Sequence, residues 1–116
     1  MKKHYTLVNN KEFQKVYKRG KYAASSFLVV YCLKNNTETT KIGITTSKKV
    51  GKSVKRNRMR RLIKENIREL YDKLNKGFNI VIVARKSEKY ANKEIIGKEL
   101  RYLLYKLDLL DGESKC

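Results

Sequence analysis

Apolar positions along the chain repeat with two different periods, and the change from one to the other marks the elements. Over residues 11–19, Phe13, Val16 and Tyr17 recur at three-or-four spacing, which predicts a short helix stopped by Gly20. Asn9 followed three residues later by Glu12 resembles a capping box, with Val8 and Phe13 placed to form a hydrophobic staple. Residues 26–33 then alternate, with Phe27, Val29, Tyr31 and Leu33 on one face and Leu28, Val30 and Cys32 on the other. Both faces are apolar, so this strand is expected to be covered on both sides. A polar turn follows, and residues 41–46 read as a second strand that pairs with the first as a hairpin.

The longest periodic stretch covers residues 54–75, where Met59, Leu62, Ile63, Ile67, Leu70, Tyr71 and Leu74 form one helical stripe. Ser53 stands at the N-cap position, and Gly77 lies just beyond the end. Residues 78–84 predict a third strand, and residues 93–109 a last helix with Ile96, Leu100, Leu103, Leu104 and Leu107 on one face. The predicted order is helix, strand, strand, helix, strand, helix: an α+β fold, with helices packed on a small sheet. At 116 residues the chain fits one domain, residues 1–116, with a real core but no room for a large interdomain cavity.

Charge changes this picture from a generic small domain to a ligand-binding one. The net charge is +18, and residues 48–61 supply 8 of the 29 basic side chains and none of the 11 acidic ones. Self-repulsion of that strength is relieved by a polyanion, which makes nucleic acid the expected partner. Lys55, Arg56 and Arg58 fall in the first turn of the long helix, where the macrodipole disfavours cations. An anion at that helix start compensates, accepting from backbone N–H groups while pairing with the cations, and Gly51 lets backbone approach it closely. A solvated surface face is the plainer alternative, and eight cations without one acid weigh against it. The hydrophobic fraction of 41% excludes a disordered basic tail. No apolar run approaches the length of a membrane span, and no signal peptide is visible at residues 1–11. Cys32 and Cys116 make a poor structural pair, which fits a reducing cytoplasm.

The run Ser-Lys-Lys-Val-Gly-Lys-Ser-Val-Lys-Arg-Asn-Arg-Met-Arg-Arg-Leu-Ile-Lys-Glu resembles the RNR signature of the bacterial ribonuclease P protein subunit. Lys49, Gly51, Val54, Arg56, Asn57, Arg58, Arg60, Arg61 and Glu65 occupy positions of that pattern, and Lys48, Lys52 and Lys55 stand among them. Ser53 replaces a usual small Ala, Arg60 a usual Lys and Lys64 a common Arg, so charge or size is kept. The opening Phe13-Gln-Lys-Val-Tyr17 and the Ala84-Arg85-Lys86 after the third strand are also similar to the family. The resemblance implies a left-handed βαβ crossover around the RNR helix. It further implies a protein subunit that binds a catalytic RNA and helps it remove the 5′ leader of precursor tRNA, with Mg²⁺ held mainly by RNA. The RNR residues would face the catalytic RNA, and Phe13, Tyr17 and Tyr31 match positions of the family's leader-binding cleft.

From the residues alone, Phe13 and Tyr31 read as core, since aromatics at helical or strand spacing usually pack; the resemblance reverses that. Lys15, Lys18 and Arg19 are cations that could flank the cleft. The chain lacks a plausible catalytic constellation of its own. His4 is the sole histidine, and Glu65, Glu69 and Asp72 on the long helix are expected to form ion pairs with Arg61, Arg68 and Lys73 rather than a metal site. A binding subunit is therefore expected, not an autonomous enzyme. A ribosomal-type RNA-binding protein or a general RNA chaperone is the alternative that charge alone would allow.

Overall fold

The computed structural model describes residues 10–46, 48–87 and 89–110, with backbone alone at Asn10 and Lys48. Helix α1 (Asn10–Arg19) is followed by β1 (Lys21–Ala24), β2 (Leu28–Lys34), β3 (Lys41–Thr46), α2 (Ser53–Leu70), β4 (Phe78–Ala84) and α3 (Lys93–Lys106). One mixed sheet runs in the order β1-β2-β4-β3. Strand β4 pairs antiparallel with β2, Tyr31 opposite Val81, and parallel with β3, Ile42 opposite Ile80. The fold is the expected α+β domain, with one strand more than the alternation predicts.

One expectation about pairing and one about facing fail for physical reasons. Strands β2 and β3 do not form a hairpin, because β4 inserts between them. Apolar faces require cover above and below and do not choose an in-sheet neighbour, and a short polar turn specifies only proximity; β4 takes the edge of β2 along its full length, from Leu28 opposite Ala84 to Lys34 opposite Phe78. The hairpin is instead β1–β2, with Tyr22 opposite Tyr31 and Ala24 opposite Val29. The sequence Lys-Tyr-Ala-Ala of β1 carries no β-branched residue and no alternation, so it gives no strand signal. Phe27, assigned above to the Tyr31 face, precedes β2 and is buried in the other core with Leu28.

The two faces of the sheet carry different cores. Leu28, Val30 and Cys32 of β2, Ile42 of β3 and Ile80 and Ile82 of β4 pack under α2 and α3, which contribute Met59, Ile63, Ile67, Ile96, Leu100 and Leu104. On the opposite face Val16 of α1 and Val81 of β4 are fully buried, with Phe13, Tyr31, Leu33 and Val83 half-buried around them. Helix α1 covers only part of this face. Among the described residues no helix is long and apolar enough to cross a membrane.

Helix boundaries differ modestly from the periodic reading. Helix α2 ends at Leu70 and continues as a 3₁₀ turn, Tyr71–Lys73, before extended Leu74. Gly77 follows with φ +88°, a conformation that favours glycine. Lys52, not Ser53, is the N-cap of α2, and its side chain makes no capping hydrogen bond. Helix α3 ends at Lys106 and does have a cap, Asn92 Oδ1 accepting from the Ile95 N–H at 2.8 Å. The capping box and staple at Asn9 and Val8 lie outside the described residues.

Candidate nucleic-acid interface

The cationic segment is a folded surface. After β3 the chain makes a 3₁₀ turn, Lys48–Val50, that buries Val50, and then Gly51 at φ +143° turns it into α2. A Cβ at Gly51 would lie 2.8 Å from the Cδ of the flexible Lys55 side chain, which can move aside, so it is the positive φ that calls for glycine. Met59, Leu62 and Ile63 anchor the start of α2 in the core. The remaining side chains of these turns point outward by helical geometry: Lys49, Lys52, Lys55, Asn57 and Arg61 are exposed, and Arg56, Arg58 and Arg60 half-exposed. The first turn of α2 holds no acid, so the helix start itself supplies no carboxylate to offset the cations at the positive end of the dipole.

The four arginines are not equivalent. Arg56 Nη1 donates to the Gly51 carbonyl at 3.2 Å, and Arg60 donates to Asn57 Oδ1 at 2.8 Å and to Thr46 Oγ1 at 3.0 Å. Arg58 Nη2 donates to the Ala91 carbonyl at 2.6 Å and to the Tyr90 hydroxyl at 3.2 Å, with its guanidinium 5.0 Å from the Tyr90 ring centre. These contacts use part of each five-donor fork and hold its plane. Arg61 has no intramolecular partner among the described residues.

The aromatic side chains gather on the other side of the sheet. Tyr17 of α1 meets Tyr31 of β2 edge to face at 4.9 Å between ring centres, and Phe13 lies 6.2 Å from Tyr17. Tyr22, which the alternation gave no reason to select, continues this row from the edge strand, 5.6 Å from Tyr31 and 66% exposed. Its cross-strand register with Tyr31 is the signal that sequence lacks, since β1 itself was not legible. Lys15, Lys18 and Arg19 are exposed on α1. Burial, and then the neighbouring Tyr31, pushes the Tyr17 phenol above its ordinary value, so it stays neutral and able to donate.

The α2 carboxylates behave differently from expectation. Glu69 pairs at 2.6 Å with Lys93 at the start of α3, not with a cation on its own helix, because the two helices pack side by side. Lys93 holds the Glu69 carboxyl below its ordinary value, and Glu69 in turn raises Lys93. Among the described residues no group of acids, histidines and cysteines is arranged to hold a metal ion. Burial raises the Cys32 thiol, leaving a packed side chain and not a nucleophile. His4 and Cys116 lie outside the described residues.

This chain is similar to known proteins along most of its length. Residues 1–108 match the family model described as Ribonuclease P. The ribonuclease P protein component of Clostridioides difficile is 44% identical over 104 residues, covering 89% of this chain and 91% of that protein. That of Thermoanaerobacter sp. is 41% identical, covering 90% of each. The Staphylococcus aureus RNase P protein structure superposes with a TM-score of 0.83 at 30% identity, covering 94% of this chain and all of that one. The Thermotoga maritima RNase P protein gives a TM-score of 0.76 at 27% identity, covering 92% and 98%.

Proposed function

The chain belongs to the ribonuclease P protein family, and we propose that it is the RNA-binding component of a ribonucleoprotein that removes the 5′ leader from precursor tRNA in the cytoplasm. The chemistry is carried by the RNA subunit, and the protein supplies two surfaces for RNA. The start of α2, with Lys48, Lys49, Gly51, Lys52, Lys55, Arg56, Asn57, Arg58, Arg60 and Arg61, binds the catalytic RNA. Phosphates there meet backbone N–H groups, lysine charges and arginine forks together. The row of Phe13, Tyr17, Tyr31 and Tyr22 on the α1 face takes the unpaired leader, whose bases stack on aromatic rings whatever their sequence.

The observation that carries this reading is a folded, acid-free cationic helix start on one side of the sheet and a half-open aromatic row on the other. One RNA-binding surface would suffice for a chaperone; two chemically different ones suit a protein that bridges a structured RNA and a single strand. Mg²⁺ belongs with the RNA phosphates in this scheme. On α2, the best-placed carboxylate, Glu69, is held by Lys93 and does not converge with Glu65 or Asp72 on a metal-sized site.

The test is reconstitution. Purified protein alone should leave precursor tRNA intact, and adding the transcribed RNA subunit with Mg²⁺ should release the leader and a mature 5′ end. At high Mg²⁺ the RNA should retain some cleavage without protein, since divalent cations replace part of the protein's charge screening. Specific 5′ maturation by rigorously RNA-free protein would overturn the assignment of roles.

A further inference from the structure

Beside the start of α2 lies a slot of about 270 Å³ that the motif itself does not explain. Its floor is apolar, made by Phe27, Val50, Met59 and Ala91, each no more than 5% exposed. Its rim is cationic, with Lys55 and Arg58 from α2 and Arg85 and Lys89 from the segment between β4 and α3. Tyr90 closes one side and is 72% exposed, with the Arg58 guanidinium 5.0 Å from its ring centre. The rim is also held in place. Arg58 donates to Ala91 and Tyr90, Arg85 Nη1 to the Ser25 carbonyl at 2.7 Å, and Lys55 Nζ to the Ser87 carbonyl at 3.4 Å.

We propose that this slot accepts one unpaired nucleotide of the catalytic RNA, its base against Tyr90 over the apolar floor and its phosphate among the rim cations. An apolar floor beside an aromatic ring suits the face of a base, and the surrounding cations suit the phosphate attached to it. A small apolar ligand would gain nothing from four cations, and duplex backbone would gain nothing from the floor. The inference rests on the assignment of the α2 start to the catalytic RNA. The source is that RNA and not the leader because the slot opens on the α2 and α3 side, whereas Tyr17, Tyr31 and Tyr22 lie on the α1 face.

The experiment measures affinity of the full chain for the transcribed RNA subunit over a series of salt concentrations, for Tyr90→Ala, Tyr90→Phe and Arg61→Ala, with folding checked by thermal melting. Tyr90→Ala should weaken binding by roughly 5- to 150-fold, the worth of one stacked base. It should leave the slope of log affinity against log salt unchanged, because tyrosine carries no charge. Tyr90→Phe keeps the ring and should bind nearly as wild type. In the assembled holoenzyme, the discrimination between precursor and mature tRNA should be the same for Tyr90→Ala as for wild type. An unchanged affinity in Tyr90→Ala beside a weakened Arg61→Ala overturns the slot alone, and no loss in either variant overturns the RNA-facing role of α2 itself. A Tyr90→Phe loss as large as that of Tyr90→Ala, or a changed salt slope, makes Tyr90 a brace for Arg58 instead. A loss confined to precursor tRNA assigns the slot to the leader and overturns the choice of RNA.

Discussion

Arg61 and Arg58 occupy the same short motif, yet a substitution reads out different things at each. Arg58→Ala removes the donors that hold Ala91 and Tyr90, so a drop in RNA affinity would mix a lost contact with a loosened segment. Arg61 is exposed and unengaged among the described residues, so Arg61→Ala reports RNA contact alone. It should weaken binding to the catalytic RNA by about 1.5–3 kcal/mol, the worth of a charge-assisted hydrogen bond. Lys98→Ala, an exposed cation of α3, should stay within about 0.5 kcal/mol. Equal losses in filter-binding or titration assays would mean that diffuse charge, not the motif, makes the interface. On the aromatic face, Tyr17→Ala and Tyr22→Ala should each weaken precursor tRNA binding by about 1–3 kcal/mol while sparing mature tRNA. Tyr22 is the cleaner probe because it packs less, and a parallel fall in both affinities would make these rings structural. The motif was legible at this scale because charge and spacing are written along the chain. Tyr22 and Tyr90 were not, because an aromatic in a polar stretch acquires meaning only from the strand or helix placed beside it.

Elements in this fold are joined by a few specific contacts that periodicity cannot announce. Asn66 interrupts the apolar stripe of α2 yet is only 3% exposed, and its Nδ2 donates to the Leu62 carbonyl at 2.9 Å and to the Lys93 carbonyl at 3.1 Å. Gly97 of α3 faces the same amide so closely that a Cβ there would overlap Asn66 Oδ1. Asn66→Ala should cost about 1–3 kcal/mol of stability by breaking this buried bridge. Gly97→Ala should also destabilise the native chain, but cost much less once Asn66 is already alanine, since the clash is then gone. A double-mutant cycle in chemical denaturation measures this coupling, and strictly additive losses would remove the bridge as the explanation. The stripes of α2 and α3 were read correctly because burial of an apolar face follows from spacing alone. The partner of β2 was misread because strand pairing is decided by what lies between two segments in space, and β4 arrives from much further along the chain.

As a whole, the molecule separates a cationic surface from an aromatic one by the thickness of a sheet. The face under α2 and α3 leads to the cationic helix start, and the face under α1 presents rings, so salt should act unequally on the two. Affinity for the catalytic RNA should fall by about 10³–10⁵ between 50 and 200 mM salt if roughly 6–10 phosphates are engaged. The extra affinity of the holoenzyme for precursor over mature tRNA should change far less over that range, because stacking releases few counterions. Parallel salt profiles for assembly and for leader discrimination would contradict this division.

The place of β4 in the sheet also governs when the molecule can come into being. Among the described residues it is the last strand, both β2 and β3 pair with it, and β3 has no other neighbour in the sheet. Before residue 84 has been made, the growing chain can pair only β1 with β2, and a lone hairpin is marginal in water. A fragment of residues 1–77 should therefore melt without a cooperative transition, and a sharp one would show that the early segments fold by themselves. On the ribosome, the apolar strand β2, which ends at Lys34, waits until Ala84 has been added before its second neighbour is complete, so folding is expected to be a late, single event and not a gradual accretion.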